Sequence, residues 1–541
     1  MTALIDEHLT PLDQYLAEQQ RLTAVERFSQ RHDEGLREGS YRTLLPLERP
    51  VAGQQYAFEV DLDACTGCKA CVNACRNLNG LDEDESWRSV GLLYGTHADE
   101  PFLQSVTTAC HHCVEPACMR GCPVNAYEKD RVTGIVHHLD DQCIGCGYCT
   151  LTCPYEVPRF NSSRGIVRKC DLCSDRLAVG EAPACVQACP TQAIRVTVVE
   201  VAEAVEAAQT DAFVIVRGLR KPLPTVPSPR TTTPTTRYVT SRELPADVLP
   251  ADHFSLRPAH PHPPLAAMLV LTQLSVGAFI VDFGLRAAAG PSTAPMRTYN
   301  ALVALVLGVL ALGVSVLHLG RPLYAFRAAI GIRTSWLSRE IVAFSAFAGL
   351  AAAYALALRS GAGPPVLALL GPLVGAAGIA GVACSVMVYA ATGRVWWRTR
   401  ATATRFVSTM LVCGLASVLV TSLAVREPPG VVHAVGALLA AASAGKLAWE
   451  ATIFRHLGLP LTDLGRTAQL MAHDLSRVTL WRFAAGGMGI ALALLIVVVG
   501  SDGLLWTSMA GLALVSTVIG ELLERSLFFR ACTAPRMPGV L

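Results

Sequence analysis

Residues 140–154 read DDQCIGCGYCTLTCP, and the spacing inside this stretch decides how the first half of the chain is built. Cys143, Cys146, Cys149 and Cys153 stand at C-x2-C-x2-C-x3-C, with Pro154 next. Three similar groups flank them. Cys65, Cys68, Cys71 and Cys75 repeat the spacing, and Cys110, Cys113, Cys118 and Cys122 stand at C-x2-C-x4-C-x3-C before Pro123. Cys170, Cys173, Cys185 and Cys189 open with C-x2-C and close with C-x3-C before Pro190. Sixteen of the nineteen cysteines therefore lie within residues 65–189.

Three thiolates on a tight loop wrap one corner of a cubane, and a fourth, one helical turn on, reaches to a neighbouring one; this is the bacterial ferredoxin signature. Disulfides use many cysteines too, but they belong to oxidising compartments, and cysteines three apart on a tight loop are poorly placed to bridge. Structural zinc favours C-x2-C pairs but does not account for x2, x2, x3 followed by proline. At four thiolates per cluster the sixteen predict four [4Fe-4S] centres, which is a wire for electrons.

The rest of the composition points to lipid. Of 541 residues 52% are hydrophobic and only 16% charged, against about 25% charged in a soluble protein. A net charge of +2 gives no reason to expect nucleic acid as a partner. After Pro264 eight apolar runs follow, at about 264–285, 299–319, 340–358, 366–391, 406–425, 431–454, 483–500 and 503–523. Each is near the ~20 residues that cross the hydrocarbon, and they are rich in the Gly, Ala and Ser of helices packed in membranes.

The expected architecture is two-part: an α+β ferredoxin-like four-cluster domain with small strands, then an all-α eight-helix transmembrane bundle. Residues 1–54 read as a helical N-terminal arm, with a helix from Thr10 to Glu38 opened by Pro11 at its first position. The cluster domain spans 55–219, with strands at 126–129, 135–139 and 193–199 and a short helix at 201–209. Residues 220–263 read as a Pro- and Thr-rich extended linker, and 264–541 as the eight-span anchor.

The first twenty residues contain no apolar run and no twin-arginine motif, so a cytoplasmic start is expected. The loops on the cluster side carry Arg321, Arg327, Arg333, Arg339, Arg394, Arg398, Arg400, Arg405, Arg455, Arg466, Arg477, Arg482, Arg525, Arg530 and Arg536. The opposite loops carry Arg286, Arg297, Arg359 and Arg426. Positive residues stay inside, which predicts the cytoplasmic face of the inner membrane for the cluster domain and both termini.

A wire joined to a bundle calls for a redox partner in the lipid, and a quinone or quinol (menaquinone or ubiquinone) is the expected one. His318 at the cluster-side end of the second span and Glu340 at the start of the third are the candidate quinone residues. Position alone leaves a second reading open, in which His318 caps a helix and Glu340 pairs with Arg339 or Arg321. Lys446 and Glu450, four apart, read as a neutral pair. Asp282, Glu521 and Glu524 read as interfacial, and Cys384, Cys413 and Cys532 as packing residues. No catalytic nucleophile or dinucleotide loop is present, so substrate chemistry is expected on another subunit.

CHHCVEPACMRGCP from Cys110 and DDQCIGCGYC from Asp140 resemble the iron–sulfur subunit of dimethyl sulfoxide reductase-type molybdoenzymes. LHLGRP from Leu317, SWLSREI from Ser335 and GELLER from Gly520 resemble the anchor subunit of the same complexes. The chain looks like a fusion of the two. The resemblance implies that Cys65, Cys68 and Cys71 join Cys189, and that Cys75 joins Cys170, Cys173 and Cys185. It likewise implies that Cys110, Cys113 and Cys118 join Cys153, and that Cys122 joins Cys143, Cys146 and Cys149. Related nitrate reductases have a tryptophan at one of these positions; here all sixteen are cysteine. In family anchors a histidine and a glutamate placed like His318 and Glu340 serve the quinone. The inward-facing clusters look more like sulfite-oxidising quinone reductases than like a respiratory sulfoxide reductase.

The expected function is an electron-transfer and anchor subunit between a separate molybdopterin-containing catalytic subunit and the membrane quinone pool, in anaerobic or sulfur respiration. The alternatives are a quinone-coupled ion-translocating subunit, a ferredoxin-like quinone reductase without a molybdenum partner, and a redox sensor. A pump needs a file of ionisable residues across the spans, for which only Lys446 and Glu450 are candidates. The arginine distribution carries its own test: a reporter fused after Leu541 is expected to be active only in the cytoplasm, and periplasmic activity would reverse the orientation.

Overall fold

A computed structural model describes residues 42–83, 85–97, 100–223, 225–289, 294–500 and 503–539, with isolated positions between 10 and 26. The helix expected over Thr10 to Glu38 lies outside the described residues apart from those isolated positions.

Strand β1 (Gln54–Asp61) buries Gln55, Ala57, Phe58 and Val60 and enters a five-stranded sheet. Helix α1 (Ala70–Asn79) carries the end of the first cysteine group. Strands β2 (Ser89–His97) and β3 (Glu100–Thr108) form a long antiparallel pair. Helix α2 (Ala117–Gly121), the hairpin β4 (Tyr127–Lys129) and β5 (Val136–His138), and helix α3 (Tyr148–Thr152) follow. A second hairpin, β6 (Arg159–Asn161) and β7 (Ile166–Arg168), precedes helices α4 (Ser174–Ala178) and α5 (Ala184–Gln187). Strand β8 (Ile194–Glu200) returns antiparallel to β1, with Val60 opposite Ile194, and α6 (Val201–Gln209) covers it. The sheet order is β10-β9-β11-β1-β8, with β9 at Val214–Val216, β10 at Leu219–Lys221 and β11 at Arg237–Thr240. Strand β12 (Leu249–Pro250) edges β2.

The stretch 220–263 therefore departs from the expected linker. Strand β11 sits between β1 and β9, parallel to both. Its Tyr238 and Thr240 point into the core in strict alternation. The Thr-rich run before it is built in as well: Thr232, Thr233 and Thr235 are buried, and Thr235 donates to the His111 carbonyl at 2.7 Å. Threonine counts as a solvated linker residue by composition, yet it is β-branched and fits a pleated, half-buried surface. The expected strands and the helix at 201–209 are found at β4, β5, β8 and α6.

Eight helices among the described residues are long and apolar enough to span a membrane. They are α7 (Pro263–Ala289), α8 (Ala294–Val316), α9 (Trp336–Arg359), α10 (Pro364–Ala390), α11 (Thr399–Ala424), α12 (Pro429–Ala451), α14 (Ser476–Val499) and α15 (Leu504–Arg530), with the short α13 (Asp463–Ala472) between α12 and α14. Helices α7 and α11 cross at the centre, where a Cβ on Gly277 would lie 1.9 Å from the Met410 carbonyl oxygen. Small residues let backbones touch where lipid supplies no hydrophobic drive.

The cluster domain docks on one end of the bundle through backbone. The Gly320 amide donates to the Gly145 carbonyl and that of Arg321 to Ile144, at 3.2 and 3.0 Å. Ser335 donates to the Gly121 carbonyl at 2.7 Å and the Gly331 amide to Pro123 at 2.7 Å. A Cβ on Gly320 would stand 2.1 Å from the Gly165 carbonyl oxygen. Neither backbone can yield there without breaking its own turn. Gly320→Val is expected to cost about 1–3 kcal/mol of stability, read as a lower melting temperature of the full chain in detergent; an unchanged melting temperature would contradict this docking geometry.

Candidate cluster sites and the anchor mouth

Strand pairing brings distant cysteines together. Because Val60 faces Ile194, Cys65 just after β1 and Cys189 just before β8 come to the same end of the sheet. With Cys68 and Cys71 they line one space of about 290 Å3. Cys75, Cys170, Cys173 and Cys185 line a second, of about 280 Å3, with Phe58, Trp87 and Arg88. In the hairpin β4–β5 Tyr127 faces His138, which sets Cys122 and Cys143 side by side. Cys122, Cys143, Cys146 and Cys149 act on one another electrostatically, and so do Cys110, Cys113, Cys118 and Cys153. These are the four groupings that the resemblance implies.

The donor chemistry fits anionic iron–sulfur cubanes. Among the described residues no three donors converge on a site for a single metal ion; the thiols surround wider spaces. Burial pushes the Cys75 and Cys146 thiols up to about 12, so iron entering there displaces protons. Several buried donors meet no nitrogen or oxygen and turn to the thiols instead: Nε and Nη2 of Arg88, the Tyr127 hydroxyl, and Nε2 of His138, with Arg88 hydrogen-bonding Cys185, Tyr127 Cys149, and His138 Cys143. Arg88 faces Cys71, Cys75, Cys170 and Cys185, Tyr127 faces Cys149, Cys118 and Cys122, and His138 faces Cys143. Buried donors are rarely left unpaired, and cluster sulfur would satisfy them.

The sets form a row. Arg88 stands between the first and second, and Lys169 faces Cys170 of the second and Cys110 and Cys118 of the third. Tyr127 stands between the third and fourth. The fourth set meets the membrane half: Cys122, Cys143, Ile144 and Cys149 pack with Ala328, Leu319 and Ile341.

His318 and Glu340 lie next to that contact, at the cluster-side mouth of α7–α10. His318 follows the end of α8, and its Nδ1 bonds the Ser315 carbonyl; burial lowers its pKa below the usual imidazole range. Glu340 lies one turn inside α9 rather than at its start. It is only 4% exposed and accepts from the Ser385 hydroxyl of α10. Their bonds thus go to different helices, and neither is to the other. Of the second reading, the His318 bond to the Ser315 carbonyl is a cap on the end of α8, while among the described residues Glu340 pairs with neither Arg339, which bonds the carbonyls of Ile332 and Arg333, nor Arg321, which bonds that of Asp140. Tyr148, between Cys146 and Cys149, reaches from the cluster domain into the bundle core, donates to the Val388 carbonyl at 2.6 Å and faces Glu340.

Of the readings of charged residues in the spans, the Lys446–Glu450 pair is found and the interfacial placing of Glu521 and Glu524 is corrected. Lys446 and Glu450 do pair at 3.4 Å, but within a larger buried network. Lys446 also meets Glu521 at 3.1 Å, Arg482 bonds Glu450 and Glu521 at 2.8 and 2.9 Å, Arg405 meets Glu524 at 3.4 Å, and Arg525 holds Glu524 and Gln273. Glu521 and Glu524 are therefore buried ion-pair partners, not interfacial groups, because four helices bring charges far apart in sequence to one depth. Asp282 pairs with Arg286 at the opposite end.

Residues 258–530, just over half of the chain, match the family model of the DMSO reductase anchor subunit, DmsC. The chain belongs to that family. Residues 102–199 match a 4Fe-4S dicluster domain, so the chain joins an iron–sulfur part to a DmsC anchor. A subunit of the anaerobic dimethyl sulfoxide reductase of Escherichia coli K12 is 39% identical over 148 residues, 26% of this chain and 72% of that protein. The formate dehydrogenase iron-sulfur subunit of Haemophilus influenzae is 37% identical over 153 residues, 25% of this chain and 49% of that protein.

The grouping of thiols predicts paired phenotypes. Cys65→Ser and Cys189→Ser should alter the same EPR signal, and Cys122→Ser and Cys143→Ser a different one; four separate losses would contradict the grouping.

Proposed function

We propose that this chain conducts electrons between a separate molybdopterin-containing catalytic subunit and quinone in the membrane, through four [4Fe-4S] clusters held by the sixteen cysteines. The observation that carries the reading is the seat of the Cys122 set on the bundle mouth, beside Tyr148, Glu340 and His318. Bound clusters supply one-electron carriers. The residues of the chain supply the rest.

Quinone chemistry moves protons with electrons, and the two candidate residues suit that task. With Nδ1–H donating to Ser315, neutral His318 leaves Nε2 as an acceptor, and its lowered pKa keeps it neutral near pH 7. The Glu340 carboxyl, fixed by Ser385, is the second proton carrier. Tyr148 packs the gap between Cys146 and Cys149 and the bundle and keeps water from it. At the other end of the row Cys68 is exposed, which suits delivery to or from a partner subunit. The named relatives, subunits of a sulfoxide reductase and of formate dehydrogenases, favour a molybdopterin partner. The arginine distribution favours the cytoplasmic face.

His318→Ala and Glu340→Gln are each expected to slow cluster reduction by a quinol analogue at least about 100-fold, with iron content and reduction by dithionite unchanged. Quinol-driven reduction that survives both substitutions would overturn the site. Isolation of the chain from membranes without a molybdenum-containing partner would count against the complex.

A further inference from the structure

We propose that Arg88 and Lys169 are fixed cations that raise the reduction potentials of the clusters on either side of them. The proposal rests on the reading that each thiol set holds a cluster. Arg88 is 2% exposed and lies against the second set, among Cys75, Cys170, Cys173 and Cys185. Nη1 donates to Thr107 at 3.1 Å, and the guanidinium stacks over Phe58 with its carbon 4.6 Å from the ring centre. Thr107 in turn touches Cys71 of the first set, its hydroxyl 3.6 Å from the sulfur. The two remaining nitrogens of Arg88 meet no nitrogen or oxygen; the guanidinium turns instead to the thiol of Cys185, to which it hydrogen-bonds. A buried guanidinium without a counter-ion is costly, and the anionic centres on either side would supply one.

Lys169 repeats the arrangement one junction further on. It is 3% exposed, and its Nζ bonds two carbonyls, those of Val136 and Cys170. It faces Cys110 and Cys118 of the third set, Cys170 of the second, and Asp171. At the junction of the third and fourth sets the buried group is the phenol of Tyr127, which brings no full charge. A positive charge in a low-dielectric interior favours the more negative, reduced form of a neighbouring cluster over the oxidised one. The first three sets thus share permanent cations, whereas the fourth has beside Cys143 the imidazole of His138, which is bonded to Asp140.

The test is an EPR-monitored redox titration of the full complex in membranes, with iron determined on the same samples. Arg88→Gln is expected to lower the potentials of two clusters, shifting their reduced-to-oxidised ratio about tenfold, or about 59 mV for a one-electron couple. Lys169→Gln should lower two, one of them shared with Arg88→Gln, and Arg88→Lys should stay near the parent. Four unchanged potentials in a fully iron-loaded Arg88→Gln protein would overturn the proposal, as would an Arg88→Lys shift as large as that of Arg88→Gln. Should Arg88→Gln fail to hold iron, Lys169→Gln decides, and unchanged potentials there would overturn it. Iron well short of four clusters in the unsubstituted protein would instead strike at the cluster reading itself.

Discussion

Everything in this molecule depends on closing thiol sets from cysteines that the sequence keeps far apart. Cys189 lies more than a hundred residues beyond Cys65, and only the antiparallel register of β1 on β8 brings them to one space. The hairpin β4–β5 does the same on a smaller scale for Cys122 and Cys143. Sheet and sets are mutually dependent: the strands align the sulfurs, while clusters in the sets, as proposed, would replace core that short helices such as α2 and α3 cannot supply. Metal binding of this kind is folding free energy.

The second constraint is contact between two unlike solvents. A domain that belongs in water and a bundle that belongs in lipid are joined here by backbone hydrogen bonds between Gly145, Gly320, Pro123 and Gly331, where side chains would hold them apart. Arginines reinforce the seam: Arg321 and Arg327 donate to the carbonyls of Asp140 and Asp141, and Arg394 and Arg536 each meet Glu156 at 3.5 Å. Part of the arginine excess on this side therefore serves docking. The ion-pair network of Arg405, Lys446, Glu450, Arg482, Glu521, Glu524 and Arg525 enlarges the set of ionisable residues in the spans. It stays within the cluster-side ends of α11, α12, α14 and α15, so it does not form a file across the bilayer.

The sequence was most legible where the signal is local. Cysteine spacing marks each group within a stretch of at most twenty residues, a trailing proline marks three of the four, and apolar runs mark each span, so the two-part fold could be read directly. Partnership is another matter. Strand β11 hid in a Pro- and Thr-rich run, because its place between β1 and β9 depends on strands far away in sequence. Arg88 and Lys169 look like ordinary surface cations until the fold buries them. The network charges are spread over four helices, and the spacing of four shared by Lys446 with Glu450 and by Glu521 with Arg525 betrays nothing of the bonds between helices. Tyr148 lies inside the signature itself, where nothing in the spacing tells that its hydroxyl reaches the Val388 carbonyl in the bundle.

The central claim is that all four thiol sets carry clusters in one continuous row. Iron and acid-labile sulfide, counted on anaerobically purified full-length protein, test it most directly. About sixteen of each per chain are predicted, four cubanes of four irons. About eight of each, with no loss during handling, would mean that two of the sets are empty and would contradict the account.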